Sequence, residues 1–290
     1  MTALTARQQG ILCCGLSGLC YGLIGYFGEQ ITSLNVSVFT MLFWRFGLAA
    51  LFCMPTLFDR QYTRLSPWSL LGSLLCGFLF YGSASVLYFY ASQFIGTGVA
   101  MVIAFIYPSI IVLLNFVFLK KPISPLYYLV FGMIFSGMFF LVDVTSFAFD
   151  LMGIGLALLS AITYANYIIF NKRIELPPNV STFTICLGSS LICLLCAYID
   201  GSFTYLNSDS LFNILALSTI STVVPVFLMS YGVSKISAEE AGLVSVLEPI
   251  AVVVIGIILL EEEMQLRHAF GILAILSGAT IGILGSKDKH

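Results

Sequence analysis

Residues 99–119 read VAMVIAFIYPSIIVLLNFVFL and residues 240–260 read EAGLVSVLEPIAVVVIGIILL. Each stretch is apolar over about twenty residues, enough at about 1.5 Å per helical residue to cross a hydrocarbon core of about 30 Å. Offset by 141 residues, the two align Ala100 with Ala241, Pro108 with Pro249 and Leu119 with Leu260. The same register runs on without a gap, pairing Leu87 with Leu228, Tyr90 with Tyr231, Ile95 with Ile236, and Ser136-Gly137 with Ser277-Gly278. An offset of 143 pairs Ser17 and Tyr21 with Ser160 and Tyr164. One set of membrane segments is therefore written twice in the chain.

Composition extends that reading outward. Of the 290 residues, 59% are hydrophobic and 9% charged, with a mean hydropathy of +1.03, against about one-quarter charged in a soluble domain. Apolar runs predict spans near residues 10–28, 36–57, 68–91, 98–119, 126–142, 152–171, 180–199, 210–231, 240–260 and 268–285. The first run, Gly10 to Gly28, matches a signal peptide in length, but it is rich in glycine, holds Tyr21 and Tyr26 and leads into further spans, so it is read as a retained helix. Short loops leave no room for a sizeable soluble domain. The expected fold is all-α and integral to the membrane, with ten transmembrane helices in two repeats, residues 1–148 and 149–290. Five spans per repeat is an odd number, so the halves are expected to be inverted, an architecture that opens to either side of a midplane site.

With the N-terminus inside, the twelve basic residues all fall on the inner side except Arg267, outside, and Arg45, within a span. Juxtamembrane Lys and Arg are held on the cytoplasmic side during insertion, so both termini are expected there; a missed helix would scramble the pattern. The formal net charge is -2 and no basic patch marks a nucleic-acid partner. Most of the eight cysteines fall in apolar runs and read as small hydrophobes, with a redox pair at Cys193 and Cys196 as the alternative.

Two ionisable residues lie near the expected midplane, Arg45 in helix two and Glu248 in helix nine. Each costs about 2.5 to 3.5 kcal/mol to place there on insertion scales, which calls for a partner or a wet cavity. Glu248 can meet a cationic group or carry a proton, and Arg45 a carboxylate; alternatively the two pair, or Arg45 only fixes packing. Pro108 and Pro249 sit mid-span, where proline kinks a helix and frees a carbonyl, near Ser245 in the second case. Tyr81, Ser85, Tyr88 and Ser92 share one face of helix three, and Ser160, Tyr164, Tyr167 and Asn171 share one face of helix six. Such faces either line a wet aromatic cavity or bond between helices; the cavity tyrosines expected are Tyr88 and Tyr164 foremost, with Tyr81, Tyr107, Tyr167 and Tyr231 after them. Gly15, Gly18, Gly22 and Gly25 form a smooth stripe on helix one, echoed by Gly132 and Ser136 in helix five, for close packing or a dimer contact.

The order of these motifs resembles the drug/metabolite transporter superfamily, in particular its EamA branch of ten-helix carriers. The resemblance is carried by Phe43-Trp44-Arg45-Phe46, by Tyr107-Pro108 with the exit Phe118-Leu119-Lys120-Lys121-Pro122-Ile123-Ser124, and by Leu247-Glu248-Pro249-Ile250 with Leu259-Leu260-Glu261-Glu262. The family usually carries a glutamate at both exits; here the first has Lys120-Lys121 instead. The resemblance implies a bacterial inner-membrane carrier for small metabolites, often an exporter of amino acids or amphiphilic compounds, with its substrate in a central cavity between the halves.

Enzyme, channel and purely structural readings find less support. The two histidines, His268 and His290, belong to no cluster with acids, there is no HExxH or phosphate-binding glycine loop, and no filter sequence stands out. The partners expected are a small-molecule substrate and membrane lipid, with proton coupling through Glu248 open, no cofactor or metal, and either a monomer or a homodimer. Orientation is testable on a background lacking the native cysteines: Asp150→Cys should react with an impermeant thiol reagent added from the periplasmic side. Labelling only after permeabilisation would reverse the topology.

Overall fold

The computed structural model describes residues 4–58, 65–120, 124–141, 150–259 and 264–286. Lys121, Pro122, Ile123, Glu261, Glu262 and the expected boundary between residues 148 and 149 lie outside them. The described residues form helices with no strand: α1 (Ala6–Thr32), α2 (Val38–Cys53), α3 (Pro67–Ile95), α4 (Thr97–Phe118), α5 (Pro125–Leu141), α6 (Leu151–Arg173), α7 (Pro178–Ile199), α8 (Ser208–Lys235), α9 (Ala238–Leu259) and α10 (Leu266–Gly285). Eight of these are long and apolar enough to cross a membrane; α2 and α5 are shorter apolar helices. At about 1.5 Å per residue, the 17 residues of α5 reach about 26 Å. Each expected span coincides with one helix to within a few residues.

Local chemistry sets the ends. Thr5 and Ser237 close capping boxes with Gln8 and Glu240, Asp150 and Asn207 accept from the backbone N–H groups of Gly153 and Ser210, and Pro67 and Pro178 open α3 and α7. Gly96, at φ +80°, turns the chain sharply from α3 into α4.

The written repeat reappears as repeated packing. Helix α1 packs on α8 and α6 on α3, while α2 packs on α7 and α5 on α10. The Ser17 hydroxyl donates to the Pro225 carbonyl at 2.8 Å, and the Ser160 hydroxyl donates to the Ala84 carbonyl at 2.8 Å; each partner is the other's counterpart at the offsets of 143 and 141. Gly10 lies against Ile236 and Lys235, and Gly153 against the matching Ile95 and Phe94. Gly137 meets the Gly271 carbonyl while Gly278 meets the Val130 carbonyl, so α5 and α10 run antiparallel.

Irregular backbone is repeated too. A wide π-turn interrupts α3 at Gly77–Gly82 and α8 at Thr219–Val223. Helix α4 breaks at residues 105–106 and α9 at 245–246, so that each consists of two half-helices. Here the expectation of a kink is corrected. Pro108 and Pro249 fall in the first turn of a new helix, where no N–H donor is required. The carbonyl of Ser245, rather than being freed, accepts the Glu248 N–H at 3.0 Å.

Three of the four glycines in the α1 stripe are packed within the fold: Gly18 approaches the Ser245 carbonyl, Gly22 the Cβ of Ala251, and Gly15 the Leu247 side chain, all on α9, whereas Gly25 meets nothing within 4 Å and lines the cavity between the halves. Gly132 meets nothing within 4 Å and Ser136 is exposed; the close approach in α5 is made by Gly137. Among the described residues no disulfide joins Cys193 to Cys196, and Cys193 is fully buried.

Gly188 of α7 tests this packing, because a Cβ there would collide with the Leu74 carbonyl and sit 2.8 Å from the Phe78 nitrogen. Gly188→Ala should destabilise by about 1–3 kcal/mol, whereas Gly132→Ala should change stability by about 0.5 kcal/mol or less or raise it slightly. Thermal melts in detergent compare the two, and equal effects would contradict the α3–α7 contact.

Candidate functional site

A cavity of about 180 Å³ lies between the halves, lined by Tyr21, Arg45, Tyr81, Tyr88, Tyr107, Tyr164 and Glu248 together with Ser85, Phe89, Thr97, Met101, Phe105, Ser160 and Val252. It begins beside the interruptions of α4 and α9 and extends toward the α3–α4 turn at Gly96, where Tyr88, Phe89, Thr97 and Met101 face it. The opposite end of the bundle is crossed by polar contacts. Arg7 pairs with Glu240 at 2.6 Å and donates to the Ile283 carbonyl, Asn115 donates to Glu239 at 2.7 Å, and Lys172 donates to the carbonyls of Val233 and Ile236 at the end of α8.

Tyr21, Tyr81, Tyr164 and Tyr107 form one connected wall. Tyr81 sits in the π-turn of α3, packs its ring 4.7 Å from that of Tyr167 and 5.4 Å from Phe46, and donates its hydroxyl to that of Tyr21 at 3.0 Å. Tyr164 meets Tyr107 edge to face at 4.7 Å. Such faces offer apolar contact and attraction for a cation, with hydroxyls to orient a polar group.

The two midplane charges differ in how the protein holds them. Arg45 is 2% exposed. Its Nε donates to the Thr222 hydroxyl at 2.7 Å and its Nη2 to the Ser221 carbonyl at 3.2 Å, both in the α8 π-turn. Thr222 in turn gives its proton to the Leu217 carbonyl, leaving a lone pair for the guanidinium. Glu248 is half-buried, and among the described residues no ion pair joins it to Arg45 and no donor meets its carboxylate. Direct pairing of the two, one of the alternatives read from sequence, is therefore not the arrangement found. In an apolar wall an open carboxylate exerts a strong field on whatever occupies the cavity.

The structure thus brings Glu248, Arg45, Tyr81, Tyr88, Tyr107 and Tyr164 to one cavity and leaves Tyr167, Tyr231 and Ser245 out of its lining. Tyr167 is fully buried behind Tyr81 and Tyr164 and meets Asn171. Ser245 is 1% exposed and donates to the Ala241 carbonyl. Pro108 and Pro249 shape the half-helices and do not line the space. Sequence reasoning missed Tyr21, Phe89, Phe105, Thr97 and Met101. Tyr21 carried a signal, since it is the repeat counterpart of Tyr164; the others are apolar or small residues that nothing in the pattern separates from lipid-facing ones.

Among solved structures, one crystal structure of a protein shares the fold with a TM-score of 0.83 at 16% identity, covering 97% of this chain and 98% of its own. A protein of Synechocystis sp. (strain ATCC 27184 / PCC 6803 / Kazusa) named uncharacterized transporter sll1319 is 27% identical over 222 residues, 72% of this chain. That match spans 64% of the relative's length, just under two thirds. The profile of the EamA-like transporter family matches twice, over residues 8–143 and 151–284. Matched once on each side of residues 143–151, and so over both copies of the repeated packing, the chain belongs to the EamA-like transporter family.

Proposed function

We propose that the protein is a carrier of ten spans, in two inverted repeats over residues 1–148 and 149–290, that moves a small amphiphilic metabolite through the central cavity by alternating access. The substrate class is an amino acid or related zwitterion, carried out of the cell across the bacterial inner membrane, with both termini cytoplasmic. The observation that carries this reading is the open carboxylate of Glu248 in a tyrosine-walled cavity that also contains Arg45. An ammonium group meets the carboxylate and the tyrosine faces, and a carboxylate meets the cationic side. Export rests on the family resemblance alone.

The paired hydrogen bonds of Ser17 and Ser160 and the antiparallel α5–α10 contact support inverted halves. The basic residues support the orientation, which makes the Gly96 end of the cavity the outer one. In this reading α2 and α5 are short spans, accommodated by local thinning of the bilayer.

One observation favours a second reading, uptake of a cationic nutrient such as a quaternary amine or an adenosyl-sulfonium compound. Two of the Arg45 nitrogens are already bonded to α8, and a cation would need only Glu248 and the aromatic wall. Arg45→Gln separates the two, weakening zwitterion transport while sparing a cation that lacks a carboxylate. Glu248 is also the group through which a proton gradient would drive the cycle.

Glu248→Gln should fold as wild type does and lose transport by at least about tenfold, as expected for removal of a charged hydrogen bond. Flux into proteoliposomes and the melting temperature measure the two; wild-type flux in a stable Gln variant would remove Glu248 from binding and coupling alike. Alternating access also requires the Arg7–Glu240 end to part. A disulfide between Arg7→Cys and Glu240→Cys, on a background without native cysteines, should stop transport until reduced. Unchanged flux in the crosslinked protein would mean that this end stays shut throughout the cycle.

A further inference from the structure

The breaks in α4 and α9 place the N-termini of two half-helices, Tyr107–Leu119 and Leu247–Leu259, beside the cavity in the middle of the bundle. Tyr107 and Glu248 are counterparts at the offset of 141, each directly before the proline that opens its half-helix. Both line the cavity. A helix N-terminus carries partial positive charge, and in α9 the Glu248 carboxylate answers it from the first turn. In α4 the same position carries a neutral donor.

Among the described residues that donor has nothing to donate to: Tyr107 is 3% exposed and its hydroxyl meets no hydrogen-bond partner there. The Ser245 hydroxyl lies nearby but outside hydrogen-bond geometry, and gives its own proton to the Ala241 carbonyl. Buried polar groups are nearly always satisfied. A hydroxyl left open on the wall of a cavity, at the positive end of a helix, is arranged for an acceptor that arrives from outside, above all a negatively charged one.

We propose that Tyr107 is a specificity-determining residue: its hydroxyl, at the N-terminus of Tyr107–Leu119, donates to the substrate's carboxylate while Glu248 holds the substrate's ammonium. The zwitterion then lies across the approximate two-fold axis in a fixed orientation, its negative end on the first repeat and its positive end on the second. Arg45, held by α8, adds positive charge to the same cavity. This inference rests on the amino-acid reading above and sharpens it, because it assigns each end of the substrate to one half of the protein.

The probe is whichever of the standard amino acids most raises the melting temperature of the purified full-length protein, together with its decarboxylated amine and its deaminated acid. Calorimetry on these three compounds gives the affinities. Wild type should bind the amino acid more tightly than the amine. Tyr107→Phe should weaken the amino acid by about tenfold, the effect of one hydrogen bond to a charged group, and leave the amine unchanged. Glu248→Gln should weaken the amino acid and the amine alike and spare the deaminated acid. Should Tyr107→Phe fail to fold, the wild-type comparison still decides, since equal affinity for amino acid and amine overturns the proposal. If the amino acid binds and Glu248→Gln behaves as stated while Tyr107→Phe keeps full discrimination, the role of Tyr107 falls and the amino-acid reading stands. If no standard amino acid stabilises folded wild type, both fall together.

Discussion

The structure depends on the rule that a peptide group inside a bilayer must find its hydrogen bond within the protein. A helix meets that rule along its length, and it can relax only where protein or water replaces lipid. The irregular turns of this bundle obey it. The π-turns of α3 and α8 and the breaks of α4 and α9 lie where helices pack on one another, and groups released there are taken up by protein: the Ser221 carbonyl by Arg45, the Ser245 carbonyl by the Glu248 N–H. The cavity lies beside the irregular turns. Tyr81, Tyr107 and Glu248, which line the cavity, all lie at these irregular turns.

Duplication supplies the scaffold, and divergence at matched positions makes the cavity lining uneven. Counterparts that keep their identity are structural or generic: Ser17 and Ser160 tie helices, and Tyr21 and Tyr164 both offer a ring. Counterparts that differ define polarity. Tyr107 and Glu248 stand at matched positions, and Tyr81 in one π-turn corresponds to Thr222 in the other. Tyr81 packs its ring against Tyr167, whereas Thr222 accepts a hydrogen bond from the Arg45 guanidinium. A pair of identical halves could form the same bundle but would offer the same group to both ends of a substrate.

Much of this was legible in the sequence, for physical reasons. Apolar length and spacing locate helices in lipid because the solvent imposes one length scale, and the offsets of 141 and 143 located the repeat. Glu248 and Arg45 stood out because charge in an apolar run is costly. What could not be read was which neighbour satisfies which group. Whether Arg45 meets Glu248 or Thr222 is decided by the π-turn of α8, and nothing in Thr219–Val223 announces a wide turn. Tyr167 shared a face with Tyr164 by helical periodicity, yet one turn of helix separates a cavity wall from a buried support. The prolines marked the broken helices but not the form of the break, because a proline in a first turn and a proline in a kink look alike in sequence.

The Arg7–Glu240 pair joins the start of α1 to the start of α9 at the end of the bundle away from Gly96. Its repeat counterpart would be Asp150 with Val99, which cannot form an ion pair. Among the described residues the two ends of the bundle are therefore fastened unequally. In the carrier cycle proposed above, such a molecule rests with one mouth open, and a ligand approaching the shut mouth binds only the small fraction of molecules that have turned. The same pocket would then show two half-saturation concentrations, one for each face of the membrane, with no gradient and no second site, and the ratio between them would be set by a contact that never touches the ligand.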